Sequence, residues 1–154
     1  MIKMIDLQNR KLAEELLALQ KASYLVEAKL INFFEIPPLL ETINDLSECE
    51  ESFMGYFEGG KLFGAISFTI DGDELTICRM VVHTDHFRKG IAQVLLNEVE
   101  KSNRGLTVFK VSTGKENPPA KNLYLKNGYK LINDIEIVPG LYISNFEKRK
   151  GEES

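Results

Sequence analysis

A short basic turn at residues 87–93 contains the residue types that bind a phosphate group. It combines two cationic side chains with a glycine and a small alanine, and it opens a segment whose apolar spacing predicts a helix. The first N–H groups of a helix lack partners within the helix, and the helix dipole adds positive charge there. Glycine lets a backbone approach a ligand closely. We therefore predict a pyrophosphate site formed by Phe87, Arg88, Lys89, Gly90, Ile91, Ala92 and Gln93.

The turn by itself does not settle its function, because basic residues in front of a helix are often solvated surface. Two other nucleotide-binding loops do not fit the sequence. It contains no Gly-x-x-x-x-Gly-Lys-Ser/Thr loop, and the turn is not the Gly-x-Gly-x-x-Gly of dinucleotide folds. These mismatches argue against an NTPase and against a dehydrogenase.

Histidine and cysteine are the remaining candidate metal ligands. His83 and His86 are three residues apart, but no third ligand lies nearby, and the turn is better used for phosphate. We therefore predict no metal site. Cys49 and Cys78 lack metal-ligand spacing, which suits a reducing compartment, and Cys78 stands in an apolar stretch that predicts a core position.

The apolar pattern predicts a mixed α and β domain that positions this turn. An amphipathic helix comes early, two prolines at Pro37 and Pro38 interrupt the next segment, and a meander of strands leads into the turn. The predicted strands are residues 1–7, 53–57, 62–70, 75–82, 106–111, 129–138 and 141–146, and the predicted helices are residues 12–30, 39–46, 91–101 and 120–126.

Two motifs in this order resemble the GNAT superfamily of N-acetyltransferases. Residues 87–92 are similar to its Gln/Arg-x-x-Gly-x-Gly/Ala signature, with Phe87 in place of the usual glutamine or arginine. Residues 117–129 resemble its Asn-x-x-Ala-x-x-Leu-Tyr-x-x-x-Gly-Phe/Tyr segment. The resemblance implies an α/β fold with a central, mostly antiparallel twisted sheet. That sheet would have about six to seven strands and about four flanking helices, and it would splay between strands 4 and 5.

The resemblance also implies how acetyl-CoA would bind. The fourth strand, residues 75–82, would diverge from the fifth and leave a slot for the pantetheine arm. The backbone groups of Met80, Val81 and Val82 would pair with that arm, and an N–H near Met80 would polarise the thioester carbonyl. Asn117 would contact the pantetheine.

Acetyl transfer to an amine needs a neutral nucleophile and a proton for the leaving thiolate. By resemblance, Tyr124 donates that proton, although a tyrosine there could instead only pack its helix on the sheet. Glu74, just before the fourth strand, is the predicted general base. It could equally cap a turn, and Glu35, Glu41 or a water relay stay open as alternatives.

The acceptor site implied by the family lies between residues 33–46 and the final hairpin. Phe33 and Phe34 supply aromatic surface, and Glu35, Glu41 and Asp45 supply negative charge. Such acids would attract a cationic amine, but they would also suit an ordinary amphipathic surface helix. The acceptor class therefore stays open between a polyamine-like or antibiotic amine, an amino acid and a protein amino group. A homodimer also stays open.

Size and charge limit the function classes. The 154 residues, 44% of them hydrophobic, suit one domain, predicted over residues 1–147 with a solvated tail at 148–154. A net charge of -4 argues against nucleic acid and anionic membranes as partners. No membrane-spanning run or secretory signal is evident, so we expect a cytoplasmic protein. A non-catalytic acyl-CoA-binding regulatory module and a ligand-free interaction domain are the rival hypotheses.

Overall fold

The computed structural model describes residues 1–86 and 90–150. Strands and helices are mixed along the chain, as the apolar pattern predicts. The elements are β1 (Ile2–Met4), α1 (Arg10–Ile31), α2 (Pro37–Leu40), α3 (Ile43–Glu48), β2 (Ser52–Glu58), β3 (Lys61–Asp71), β4 (Glu74–Val82), a 3₁₀ turn (Thr84–His86), α4 (Ile91–Ser102), β5 (Val108–Gly114), α5 (Pro118–Lys126), β6 (Lys130–Val138) and β7 (Leu141–Arg149).

All seven strands form one sheet in the order β1-β2-β3-β4-β5-β7-β6. Neighbouring strands are antiparallel except for β4 and β5, which are parallel because α4 crosses over between them. The predicted α/β fold with a mostly antiparallel sheet is therefore confirmed. The chain segment that connects these two parallel strands contains the basic turn and α4.

Each face of the sheet carries a cluster of buried apolar side chains. On one face, Leu95 and Val99 of α4 pack with Ile66 and Phe109. On the other face, Leu16 of α1 belongs to the cluster that contains Val81. The α1 helix begins at an Asn9 side chain that accepts the Leu12 N–H at 3.2 Å. The sheet is thus held between α4 and α1, the two helices that flank its centre.

A β-bulge in β4 changes which side chains face each helix. Ser67 pairs with Arg79 but Phe68 pairs with Ile77, so Cys78 has no partner on β3. Ile77 packs in the α4 cluster, whereas Val81 packs in the α1 cluster. The bulge leaves Cys78 exposed. The core position expected for Cys78 is therefore wrong, because one extra residue shifts the alternation of the strand.

Several element boundaries differ from those predicted. The single helix expected at residues 39–46 is two short helices, and a capping box between Thr42 and Asp45 starts the second one. β7 continues to Arg149, and the Lys150 N–H donates to the Thr107 carbonyl at 2.8 Å. The domain end predicted after residue 147 thus falls inside a strand, while residues 151–154 lie outside the described chain. Within the described ranges, no helix is long and apolar enough to span a membrane.

Candidate active site

The parallel strands β4 and β5 pair only along part of their length. Their register runs from Glu74 opposite Val108 to Ile77 opposite Val111 and then stops. Beyond that point β4 stays with β3 and β5 stays with β7. The divergence opens a cavity of about 920 Å³ between α1, β4, α4, β5, α5 and β7. The predicted splay between the fourth and fifth strands is present.

The backbone of β4 presents alternate groups to this cavity. The Val82 N–H donates to the Ser23 hydroxyl of α1 at 3.3 Å, while the next N–H, that of His83, donates to the Phe63 carbonyl of β3 at 2.7 Å. Because successive N–H groups of a strand point in opposite directions, Met80 shares the direction of Val82 and Val81 that of His83. Met80 and Val82 therefore have the predicted orientation, whereas the backbone groups of Val81 face β3.

The N-terminus of α4 forms one edge of the cavity. Gly90 is its N-cap with a φ of 78°, a conformation that glycine adopts most readily. The first intrahelical bond is donated by the Val94 N–H to the Gly90 carbonyl at 3.0 Å. The preceding three N–H groups lie in the turn that carries the positive end of the dipole. Cavity-lining residues here are Gly90, Ile91, Ala92 and Gln93, while Phe87, Arg88 and Lys89 lie outside the described residues.

The Gln93 side chain connects α4 to α5. Its amide exchanges two hydrogen bonds with the Asn127 amide, at 2.7 and 2.9 Å. Asn127 is the C-cap of α5, so this pair fixes the spacing between the two helices that border the cavity. Any ligand contact from Gln93 would therefore come through its backbone N–H.

Tyr124 reaches the cavity from α5. The residue is 3% exposed, and its ring packs against the rings of Tyr129 and Phe146 at centroid distances of 5.7 and 6.2 Å. Burial, and next the negative charge of Glu27, raise the pKa of Tyr124 well above its ordinary value. The phenol therefore stays protonated at neutral pH, as a proton donor must.

Asn117 is the N-cap of α5. Its side-chain oxygen accepts the Ala120 N–H at 3.4 Å, and its amide nitrogen lies 3.5 Å from the Thr113 hydroxyl. The residue is buried and also lines the cavity. Its capping role accounts for this asparagine structurally, so the predicted pantetheine contact would be an additional role.

Glu27 is a cavity residue that the motifs do not identify. It projects from α1, and burial raises the pKa of its carboxyl above the ordinary value. Hydrogen bonds from the Asn117 side chain, the Gly114 backbone and the Thr113 side chain act in the opposite direction. One sequence signal could have found it. Glu27 lies four residues after Ser23 and three before Leu30, so helical spacing puts it on the same face of the amphipathic helix as these two residues.

Arg79 forms a buried ion-pair cluster beside the cavity. Its guanidinium makes bidentate contacts with both Glu41 and Glu51, and it donates to the Gln20 side chain at 2.8 Å. Burial alone lowers the pKa of Arg79, but the hydrogen bonds and charges of Glu51 and Glu41 outweigh it and raise the pKa. The cluster ties the segment after α2 to β2 and β4. The Glu41 carboxylate is therefore paired with Arg79, which gives this acid a structural role.

The other predicted acids lie away from the cavity. Glu74 stands at the paired end of β4, where its carboxylate lies 3.3 Å from the Lys110 ammonium. It is not among the described residues that line the cavity. Asp45 accepts the Thr42 N–H within the capping box at 3.0 Å, and Glu35 is exposed. The catalytic role of Glu74 stays a prediction that its position does not favour.

The two aromatic residues predicted for the acceptor site differ in position. Phe33 lines the cavity, whereas Phe34 is 50% exposed.

The His83 ring nitrogen accepts the Asp85 N–H at 3.1 Å. In residues 1–86 and 90–150, no group of three or more histidine, cysteine or acidic side chains could hold a metal ion.

Solved structures share this fold. A PaiA N-acetyltransferase from Thermoplasma acidophilum in complex with coenzyme A matches with a TM-score of 0.75 and 21% identity, over 97% of this chain and 98% of that one. The ribosomal-protein-S18-alanine N-acetyltransferase from Escherichia coli matches with a TM-score of 0.75 and 14% identity, over 100% and 97%. At such identities the likeness shows that this chain shares their fold.

The family follows from the sequence matches. A profile of the acetyltransferase (GNAT) family matches residues 8–129. The UPF0157 protein YqkA from Bacillus subtilis (strain 168) is 39% identical over 155 residues, which cover 99% of this chain and 45% of that protein. The chain thus spans less than half the length of this curated relative. The chain belongs to the acetyltransferase (GNAT) family, which confirms the family and the enzyme class predicted from the two motifs.

Proposed function

We propose that this protein transfers an acetyl group from acetyl-CoA to a primary amine by direct attack of the amine on the thioester. The observation that carries the proposal is the divergence of β4 from β5 after Ile77 and Val111. It places slot-facing backbone, the start of α4 and the Tyr124 hydroxyl around one cavity. A structural neighbour bound to coenzyme A supports the same use of the fold.

Each part of the cavity suits one part of the cosubstrate. The N–H groups at the start of α4 would bind the pyrophosphate, with Arg88 and Lys89 as predicted additional cations. The backbone groups of Met80 and the carbonyl of Val82, which point away from β3, would pair with the pantetheine amides. An N–H near Met80 would stabilise negative charge on the thioester oxygen during attack.

Tyr124 would supply the proton that the leaving thiolate needs. A tyrosine hydroxyl is protonated at neutral pH, and the position of Tyr124 on α5 brings it to the cavity. No covalent enzyme intermediate is needed, because the amine attacks the thioester carbon directly. The residue acts as a general acid in this scheme.

Replacement of Tyr124 by phenylalanine tests the proposal against a non-catalytic acyl-CoA-binding module. We expect Tyr124→Phe to lower kcat by about 10²-fold or more, since the general acid is lost. Calorimetry should give an unchanged Kd for acetyl-CoA. Tyr56→Phe, at a tyrosine on β2 outside the cavity lining, is the matched control and should keep full activity. Acetyl-CoA binding without thiol release by the wild type would favour the regulatory module.

The cellular location and oligomeric state remain parts of the proposal. Cys49 and Cys78 are both free thiols, which suits the predicted cytoplasm. A homodimer stays open, and sedimentation of the purified protein would test it.

A further inference from the structure

Glu27 stands where α1 meets β5 and α5. The Gly114 N–H and the Asn117 and Thr113 side chains supply its hydrogen bonds, and its charge acts on the tyrosine hydroxyls of Tyr24 and Tyr124. The end of α1 packs tightly here, because a Cβ on Gly114 would lie 2.7 Å from the Ile31 side chain. The carboxylate is thus held in place at the cavity wall beside the predicted proton donor.

This carboxylate has neutral neighbours. No ion pair formed by the described residues includes Glu27. The buried cation beside the cavity, Arg79, is shared by Glu41 and Glu51, so that cluster keeps an excess of one negative charge. A half-buried carboxylate in a cavity is costly unless a cation pairs with it. The charge pattern therefore suits a cationic ligand at Glu27.

Glu27 shares the cavity with a largely apolar surface. The end of α1 and the segment after it form one side, and the final hairpin forms the other side. Such a surface favours an apolar body and disfavours a second charge, which would lose its hydration there. The apolar lining residues are Val26, Leu30, Ile31, Phe33, Ile36, Ile137, Leu141 and Ile143.

We propose that Glu27 binds the ammonium group of the acceptor and removes a proton from it, and that the acceptor is a primary amine on an apolar body. The inference rests on the proposed acetyl transfer and adds the substrate class and the general base. It replaces Glu74, which pairs with Lys110 outside the cavity lining.

The protons balance through two residues. Glu27 takes one proton from the ammonium, and the resulting neutral amine forms the new C–N bond at the thioester carbon. As the C–S bond breaks, Tyr124 gives its proton to the thiolate and regains one from the positively charged nitrogen. Glu27 then releases its proton to solvent. The products are the N-acetylated amine, free coenzyme thiol and one proton.

Three amines of matched length test the substrate class. They are hexylamine, 1,5-diaminopentane and 2-(2-aminoethoxy)ethanol, assayed by coenzyme thiol release with product masses. We expect hexylamine to have the highest kcat/KM, by about tenfold or more over each polar analogue, because the polar ends would lose hydration at the apolar wall. A preference for the diamine or the amino alcohol would overturn the substrate class.

Substitution of Glu27 tests the base. Glu27→Gln should lower kcat/KM for hexylamine by about 10²-fold or more and weaken hexylamine binding to the coenzyme A complex in calorimetry. Affinity for acetyl-CoA should not change. Glu14→Gln, on the exposed side of the same helix, is the control and should behave as wild type. Activity of Glu27→Gln within threefold of wild type, or a larger loss in Glu74→Gln, would overturn the assignment.

The outcomes separate this inference from the proposed function. Transfer to polar amines only, or undiminished transfer by Glu27→Gln, would leave acetyl transfer intact and reject the role of Glu27. Absence of transfer by the wild type to any amine, with acetyl-CoA still bound, would reject both and favour the regulatory module.

Discussion

Glu27 on α1 and Tyr124 on α5 line the same cavity from different helices. Burial raises the pKa of both groups, and the charge of Glu27 raises that of Tyr124 further. The hydrogen bonds from Asn117, Gly114 and Thr113 lower the pKa of Glu27 and so oppose the effect of burial. Glu27 is thereby a stronger base than an ordinary carboxylate, and the Tyr124 phenol lies in its protonated form at the same cavity.

The raised pKa of Glu27 predicts a pH-dependent cost to stability. The folded protein keeps the Glu27 carboxyl proton to a higher pH than the unfolded chain does. The stability that this proton contributes is therefore complete below pH 4.5, the ordinary pKa, and is lost as the pH rises through the pKa of the folded protein. We expect the free energy of unfolding of wild type to fall relative to Glu27→Gln as the pH rises above 4.5. Urea denaturation measures the difference.

The Glu14→Gln variant provides the reference for this pH series. Glu14 is exposed and pairs with Arg10 on the surface. The difference in the free energy of unfolding between Glu14→Gln and wild type should stay nearly constant over the same pH range. If the stabilities of wild type and Glu27→Gln ran parallel with pH, the burial of this carboxylate would be contradicted.

At the scale of elements, the bulge in β4 determines the architecture of the site. Because Cys78 is an extra residue, Arg79 faces α1 instead of continuing the α4-facing row of Ile77. The guanidinium then joins the segment after α2, through Glu41, to the residue before β2, Glu51. The cluster fixes the loop that closes one side of the cavity.

Removal of the Arg79 charge should destabilise these elements strongly. Arg79→Met leaves two carboxylates, both in side chains that are 18% exposed, without their cation. We expect a loss of about 3 kcal/mol in the free energy of unfolding, measured by urea denaturation. Arg10→Met, at an exposed helix pair, is the control and should cost about 0.5 kcal/mol or less.

A compensated variant tests the cause of that loss. Arg79→Met combined with Glu41→Gln and Glu51→Gln removes the unpaired charges and should recover part of the stability. Equal stability of Arg79→Met and Arg10→Met would contradict the burial of the cluster.

At the scale of the whole molecule, the splay divides the sheet into two parts, β1 to β4 and β5 to β7. A short seam, the paired segment of β4 and β5, joins them. The parallel register between β4 and β5 covers four residue pairs, Glu74–Ile77 with Val108–Val111. The Gln93 and Asn127 amides bridge α4 and α5 near the open end. A ligand in the cavity would contact elements on both sides of the seam and stabilise the folded protein.

Acetyl-CoA should therefore raise the thermal stability. At a ligand concentration 100 times Kd, binding contributes about 2.7 kcal/mol, which corresponds to an increase in Tm of about 5 to 10 °C for a domain of this size. Gly90→Glu should abolish the increase, because it places bulk and negative charge at the start of α4. Differential scanning calorimetry with and without acetyl-CoA measures both.

Gly72→Glu controls for backbone strain in that experiment. Gly72 has a φ of 62° and open space around it, as Gly90 does, so both substitutions carry a similar conformational cost. Gly72 lies in the turn between β3 and β4, and its variant should keep the full ligand-induced rise in Tm. An equal rise in Gly90→Glu would reject the phosphate site at α4.

The features that the sequence alone determined are local ones. Apolar periodicity placed the helices and strands, and the glycine turn before α4 and the Asn117 to Tyr124 spacing identified the family. These signals depend on neighbouring residues, since turns, caps and amphipathic faces are set within a few positions of the chain.

Tertiary structure decided the features that depend on distant partners. The bulge at Cys78 arises from the register of β4 against β3, and it turned an expected core residue outward. Glu27 gained its neighbours from β5 and α5, and Arg79 gained its partners from the segments before β2 and after α2. Burial and charge pairing in three dimensions are not encoded in local spacing. For that reason Glu27 was found only in the structure, while the phosphate-binding turn was predicted from the sequence.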